Sequence, residues 1–177
     1  MRIVGGIYKG RTLNEFKGSV IRPTSDMVRE SLFNILRDKV VGASFLDLFC
    51  GTGAVGIEAL SRGAKFVQFN DINKNSIELT KNNLEKIQAK NDFKISLSDA
   101  LVFLKSTEQK FDIVFIDAPY ENKVGQDCIL LASRVLTENG IIIYENQTVF
   151  DGEIEGLEIY DRRKYGRAHL TFFRREN

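Results

Sequence analysis

The chain has no tryptophan, two prolines, two cysteines and one histidine in 177 residues. Each scarcity closes off a class of protein. Cys50 and Cys128 lie far apart, with no further cysteine or histidine at metal-ligand spacing, so they suggest neither a disulfide framework nor a zinc site. Both are expected to be reduced, and Cys50, inside a glycine-rich turn, reads as a small buried hydrophobe. With His169 alone, histidine-centred catalysis has no second imidazole to draw on; no bound metal is expected, and His169 reads as an exposed strand residue. No apolar run approaches the ~20 residues of a membrane span. The opening MRIVGGIYKGR sets charge and glycine where a secretory signal would carry its apolar segment, so a cytoplasmic protein without membrane contact is expected.

What is present describes one domain over residues 1–177. A hydrophobic content of 43% and a charged content of 28% suit a soluble fold of this size, which buries a core without covalent help. The net charge of +1 conceals an uneven distribution. Residues 1–39 hold eight Lys/Arg against four Asp/Glu, and residues 160–177 hold six against two, which leaves the centre at −7. Basic ends around an acidic centre suggest a polyanionic partner; a solvated, scattered surface explains them equally well.

The chain is organised around FLDLFCGTGAVGIEAL, residues 45–60. An apolar run broken by Asp47 passes through Gly51, Gly53 and Gly56 into a helical pattern. Strand, glycine turn and helix together expose main-chain N–H groups to a ligand, as in nucleotide-binding folds. A G-x-G-x-x-G with an acid about twenty positions on, here Asp71, also opens the dinucleotide-binding fold. Asp47 within the strand, and Asp117-Ala118-Pro119-Tyr120 after a later strand, have no role in hydride transfer. They turn the reading towards S-adenosylmethionine (SAM).

Before this stretch, residues 1–14 read as a short hairpin with glycine turn points, studded by Arg2, Lys9 and Arg11. An exposed basic ribbon can lie along a phosphate backbone; a charged edge is the plain alternative. Thr24 or Ser25 can cap a helix over MVRESLFNILRDKV, with Arg22, Arg29 and Arg37 facing outwards as surface arginines. Residues 1–40 thus form a basic hairpin and helix ahead of a core at 41–177. In the core, strands at 66–71, 93–97, 112–117 and 140–145 alternate with helices, which means a parallel sheet covered on both faces. Strands at 157–163 and 167–174, with a turn at Tyr165-Gly166, end the fold in an antiparallel hairpin. Thr148–Glu155 reads as a loose loop.

Ligands of such sheets sit outside the carboxyl ends of the strands. Asp47 with its glycine loop, Asp71, Asp99 and Asp117 all fall there. A carboxylate after the second strand can accept from ribose hydroxyls, and one after the third from an adenine amine; Asp71 and Asp99 are equally placed to be helix N-caps. In the Asp117–Tyr120 turn, the Asp117 carboxylate and the Ala118 carbonyl can hold the hydrogens of an exocyclic amine. Pro119 stiffens the turn, and Tyr120 offers a stacking ring.

These residues resemble a class I SAM-dependent methyltransferase, and more closely the RsmD family, which methylates the exocyclic N2 of a guanine in 16S ribosomal RNA. The resemblance is carried by MRIVGGIYKGRTL, RPTSDMVRESLFNIL, LDLFCGTGAVGIEALSRGA and FDIVFIDAPY, and it spans nearly the whole chain. It implies a doubly wound, mostly parallel, seven-stranded Rossmann-like α/β fold. It implies Asp47, Gly51, Thr52 and Gly53 on the methionine side of the cofactor, Asp71 and Ile72 at its ribose, and Asp99 and Ala100 at its adenine. Arg22 and Thr24 would line the pocket from the N-terminal segment, and Asp117, Ala118, Pro119 and Tyr120 would handle the base. The family's turn is Asp-Pro-Pro followed by an aromatic, so Ala118 is a departure that removes one constraint on the turn. The implied partner is 16S ribosomal RNA or the assembling small subunit, bound by a monomer. Three other functions fit the same features: methylation of adenine N6 in DNA or RNA, a non-catalytic RNA-binding assembly module with a vestigial pocket, and a nicotinamide-dependent oxidoreductase.

Overall fold

The computed structural model describes residues 1–16, 25–90, 92–119 and 124–176. Its centre is one seven-stranded sheet: β1 (Ser44–Asp47), β2 (Phe66–Asp71), β3 (Asp92–Leu97), β4 (Phe111–Ile116), β5 (Leu136–Asn146), β6 (Leu157–Tyr165) and β7 (Ala168–Arg175), in spatial order β3-β2-β1-β4-β5-β7-β6. The first five strands are parallel, and β7 runs antiparallel to both β5 and β6. The order reverses between β1 and β4, which sets the crevice for a ligand at their carboxyl ends.

Five helices cover the faces: α1 (Asp26–Leu36), α2 (Ala54–Ser61), α3 (Lys74–Lys86), α4 (Ala100–Ser106) and α5 (Val124–Ser133). Helices α1, α2 and α3 share one apolar core with Phe45, Phe69, Phe115, Ile143 and Phe172, whereas α4 and α5 pack on Leu46, Val114, Ile116 and Phe173. The two cores follow from the strand period of two: Phe45 points to one face and Leu46 to the other. Among the described residues no helix is long and apolar enough to cross a membrane.

Ser25 caps α1 through its side chain, which accepts from the Val28 N–H at 3.2 Å. Arg29 departs from the expected outward-facing row. It is fully buried, because it lies four residues from Phe33 and seven from Leu36 on the helix face turned to the core. Its guanidinium reaches Asp26 at 2.9 Å and donates to the Arg2 carbonyl, so a buried cation ties α1 to the N-terminal ribbon. A short 3-10 turn (Arg37–Val40) then leads to the amino edge of β1. Thr148–Glu155 is also less loose than its sequence suggests. Phe150 is buried there between Tyr144 and Phe173, with ring centroids 5.9 and 5.4 Å away.

The N-terminal ribbon closes as a hairpin through an antiparallel bridge between Arg2 and Thr12. Its turn docks on the end of α2, where the Ile7 N–H donates to the Ser61 carbonyl at 2.7 Å and the Tyr8 N–H to Ser61 Oγ at 2.9 Å. Higher up, Glu58 accepts from the Val4 N–H. Asn83 of α3 bonds both the N–H and the carbonyl of Asn14.

Gly56 sits within α2 directly against β2, and a Cβ there would lie 2.3 Å from Phe69 Cε1. The third glycine of the motif is therefore a packing residue. Gly56→Ala is expected to lower stability by about 1–3 kcal/mol, as overpacking does, measured as a lower urea midpoint with an unchanged m-value.

Candidate active site

The loop from Leu48 to Gly53 rises from β1 and is braced from three sides. The Leu48 N–H donates to the Phe115 carbonyl of β4 at 3.1 Å, and the Cys50 N–H to the Asn70 carbonyl of β2 at 2.9 Å. From α3, Thr80 Oγ1 donates to the Gly51 carbonyl at 3.1 Å and Asn83 Nδ2 to the Thr52 carbonyl at 2.9 Å. Gly51 and Gly53 both take positive φ, +53° and +79°. A Cβ on Gly53 would meet Thr80 at 2.9 Å, whereas one on Gly51 would meet nothing within 4 Å. The loop is packed beneath Gly53 and open above Gly51.

Asp71 and Asp99 divide the two roles that their positions allowed. Asp99 is an N-cap, its Oδ1 accepting from the N–H groups of Leu101 at 2.9 Å and Val102 at 3.1 Å. Asp71 is not: the cap of α3 is Asn73, which accepts from the Asn75 N–H. Half-buried Asp71 instead accepts from the Gly51 N–H at 2.9 Å and the Asn73 N–H at 2.8 Å, and so ties the glycine loop to the end of β2. Ile72 is exposed beside it, while Thr52 and Ala100 are buried. Buried Asn70 joins the neighbouring loops, its amide donating to the carbonyls of Leu48 and Ser98 at 3.2 and 3.1 Å.

The register of β1, β4 and β5 places three carboxylates on adjacent strand ends. Asp47 pairs with Phe115, and Ile116 with Tyr144, so Asp117 and Glu145 stand side by side one residue further along. All three lie on the face of Phe45, Phe115 and Ile143. Burial pushes the Asp47 carboxyl up to about 7, against the pull of the Gly56 N–H at 2.9 Å and with a further push from Asp71. Burial also holds the Asp117 carboxyl well above the usual carboxylate range, and the nearby charges of Glu145 and Asp47 add to it. Glu145 is buried, and the sequence reading missed it. The signal was available: GIIIYE ends on an acid just as DIVFID does.

Ala118 is buried and Pro119 exposed after Asp117. Tyr120, Arg22 and Thr24 lie outside the described residues. Burial raises both thiols, Cys128 to about 12, and Cys50 is buried with its Sγ 3.5 Å from Thr80 Oγ1, so neither is a thiolate nucleophile at neutral pH. His169 is half-buried, level with Asn146 on β5. Among the described residues no group of three or more His, Cys, Asp or Glu could hold a metal ion.

The basic ribbon residues stand elsewhere. The Arg11 guanidinium donates to the Ile87 carbonyl at the end of α3 and lies 5.0 Å from the Tyr8 ring centroid. Tyr8 in turn accepts from the Lys90 N–H, just before β3. Arg11 and the turn that carries Lys9 are therefore at the amino edge of the sheet, across the domain from the strand tips; Arg2 is exposed further along the ribbon.

The profile of the family described as "Conserved hypothetical protein 95" matches residues 1–174. The chain belongs to this family, the RsmD family of the sequence resemblance. It is 34% identical over 152 residues to "Ribosomal RNA small subunit methyltransferase D" of Haemophilus influenzae, covering 83% of this chain and 79% of that protein. It is 35% identical over 155 residues to the Escherichia coli protein of the same name, covering 88% and 76%. Among solved structures, yhhF of Escherichia coli superposes with a TM-score of 0.88 at 30% identity, covering 99% of this chain and 98% of that one.

A raised carboxyl makes stability depend on pH. Between its unfolded value near 3.8 and its folded value of about 7, Asp47 holds its proton more tightly in the folded chain. Its favourable contribution is complete below pH 3.8 and is lost as pH rises through 7. Asp47→Asn keeps an acceptor for the Gly56 N–H and removes this loss. The ligand-free variant is expected to be more stable than wild type at pH 8, by up to about 4 kcal/mol, and level with it at pH 3.5, as read from urea midpoints across pH.

Proposed function

We propose that the chain transfers a methyl group from SAM to the exocyclic N2 of a guanine in the 16S RNA of the small ribosomal subunit, with Asp117 orienting the amine. The observation that carries this reading is a row of carboxylates, Asp47 and Glu145 buried and Asp117 half-buried between them, beside an open glycine loop. Asp47, Asp117 and Glu145 gather carboxylates in one small site, and a ligand head of net positive charge is what such a row accepts. SAM fits it: its sulfonium and ammonium outweigh its one carboxylate, the space above Gly51 is open, and Asp71 stands at the loop's edge with lone pairs left for ribose hydroxyls. Asp99 has the same capacity towards an adenine amine through Oδ2. Family membership and the names of the relatives support the reaction class and the ribosomal RNA substrate.

Bound SAM supplies an electrophilic methyl on a positively charged sulfur. The protein's part is to deliver the amine. A guanine N2 lone pair is delocalised into the ring, so the amine attacks only when its hydrogens are held and its lone pair is turned towards the methyl. The Asp117 carboxylate and the Ala118 carbonyl are the acceptors for those hydrogens, and Tyr120 stacks the base. Fixing the two centres in line contributes most of the rate. Ionised, the Asp117 carboxylate is the stronger acceptor, and a cation bound beside it lowers its raised pKa, so cofactor binding strengthens the acceptor. Cytoplasmic location follows from the substrate.

Asp117→Ala is expected to keep SAM affinity within a few-fold of wild type by calorimetry while kcat falls about 100-fold or more. Equal losses of cofactor binding and turnover would remove Asp117 from the chemistry. Asp71→Ala is expected to do the reverse, weakening SAM binding about tenfold or more as a charge-assisted hydrogen bond is lost. The reaction itself is tested by labelled-methyl transfer to undermethylated small subunits, followed by mass spectrometry of the nucleosides. N2-methylguanine supports the reading, and N6-methyladenine or no transfer overturns it.

A further inference from the structure

The β6–β7 hairpin carries charge in a pattern that the sheet does not require. Along β6 the first half bears Glu158 and Asp161 and the second half Arg162, Arg163 and Lys164, with Arg167 in the turn. Charges that only protect an edge strand from pairing have no reason to segregate by sign along it. The basic half lies at the working edge of the sheet. Because β7 runs antiparallel to β5, His169 pairs with Asn146, next to Glu145, and the turn at Gly166 projects roughly 10 Å beyond that level. β6 lies three strand spacings from β4, or roughly 15 Å from the Asp117 tip.

Arg174 and Arg175, at the far end of the same hairpin, are engaged. Arg174 pairs with Glu158 at 2.6 Å, and Arg175 donates to the carbonyls of Ser133, Leu136 and Thr137. Among the described residues Arg162, Lys164 and Arg167 have no ion-pair partner, and all three are exposed. Arg163 is half committed to Asp161 at 3.0 Å and points with Tyr165 to the other face, towards α1. There a cleft of about 550 Å³ opens between β6 and α1, lined by Ser31, Asn34, Ile35, Arg37, Arg163 and Tyr165. It offers two guanidiniums, two small polar side chains and a half-buried aromatic ring. Cations with a ring between them suit a phosphate backbone with an unpaired base on the ring.

We propose that the tip of the β6–β7 hairpin and the adjoining α1 cleft hold the RNA strand that leads away from the target guanine, with Arg162, Arg163, Lys164 and Arg167 on its phosphates and Tyr165 under a base. This rests on the reading that the substrate is RNA. The hairpin thus carries the substrate, and the N-terminal ribbon at the opposite edge is left to its structural contacts.

The test compares wild type with Arg162→Ala/Lys164→Ala/Arg167→Ala on undermethylated small subunits, with SAM affinity followed by calorimetry. The triple variant is expected to raise KM for the subunit at least tenfold, with kcat within about twofold and SAM affinity unchanged. The slope of log KM against log salt should fall by about 2, at about 0.7 for each phosphate that no longer meets a cation. Replacing the same three positions by charge-conserving residues (Arg162→Lys/Lys164→Arg/Arg167→Lys) should bring KM back to within threefold of wild type. Tyr165→Ala should raise KM about fivefold or more as stacking is removed, and Tyr165→Phe should not. A triple variant with wild-type KM and salt slope overturns the inference, as does a loss of SAM affinity, which would place these charges in the fold. A KM rise caused by Lys9→Ala while the triple variant stays normal also overturns it. If wild type itself transfers no methyl to the subunits, the functional reading has failed, and that is seen before any variant is made.

Discussion

Three carboxylates on neighbouring strand ends, two buried and one half-buried on one face of the sheet, are the constraint around which the rest of the structure is arranged. Without a cation the row is self-repelling, and the protein offsets the cost only in part. The Gly56 N–H points at Asp47 from the first turn of α2, where the helix dipole is also positive. Burial and the neighbouring charges raise the Asp47 and Asp117 carboxyls far above the usual carboxylate range. A site in this condition is matched to a cationic ligand before the ligand arrives. In the proposed methyl transfer, SAM binding supplies the missing charge and favours the ionised Asp117 carboxylate.

The same arrangement explains the division of labour among the glycines. Gly56 is required by Phe69 behind it and Gly53 by Thr80 and its backbone angle, so both are answerable to packing. Of the three motif glycines only Gly51 faces open space, on the side proposed for the ligand. Asp71 holds the N–H of that residue and fixes the loop from β2, while Asn70 fixes the neighbouring turns. The end of β2 therefore acts as the frame of the glycine loop, and the proposed contact of Asp71 with a ribose would be added to that structural role.

Much of this was legible in the sequence. Strands β1, β2 and β4 are short apolar runs ended by an acid, and the alternation of such runs with helical periods admits little besides a parallel sheet. The residues that escaped notice share one cause: their surroundings come from distant parts of the chain. Arg29 looks like a surface charge until Asp26 and the Arg2 carbonyl meet it inside. Phe150 sits in a polar loop but is drawn into the core by Tyr144 and Phe173. Glu145 ends an apolar strand as Asp117 does, yet only the β4–β5 register sets the two side by side. The two helix-preceding acids show the same limit, since only the folded loop distinguishes Asp71, which braces Gly51, from Asp99, which caps α4.

The N-terminal ribbon shows that charge alone does not say what a segment is bonded to. Its cations attract attention, but its bonds run through backbone and buried polar groups to Glu58, Ser61 and Asn83. Asn83 is the informative member, because one amide group donates both to the ribbon at Asn14 and to the glycine loop at Thr52. The ribbon thus supports the loop from behind. From there the chain passes to α1, whose 11 residues span roughly 16 Å. The C-terminal end of α1 leads to the amino edge of β1, and its N-terminal end, with Ser25 and Asp26, points towards the strand tips. The basic ribbon, the buried Arg29 and the glycine loop are thus bonded together on the side of the sheet that carries the carboxylate row.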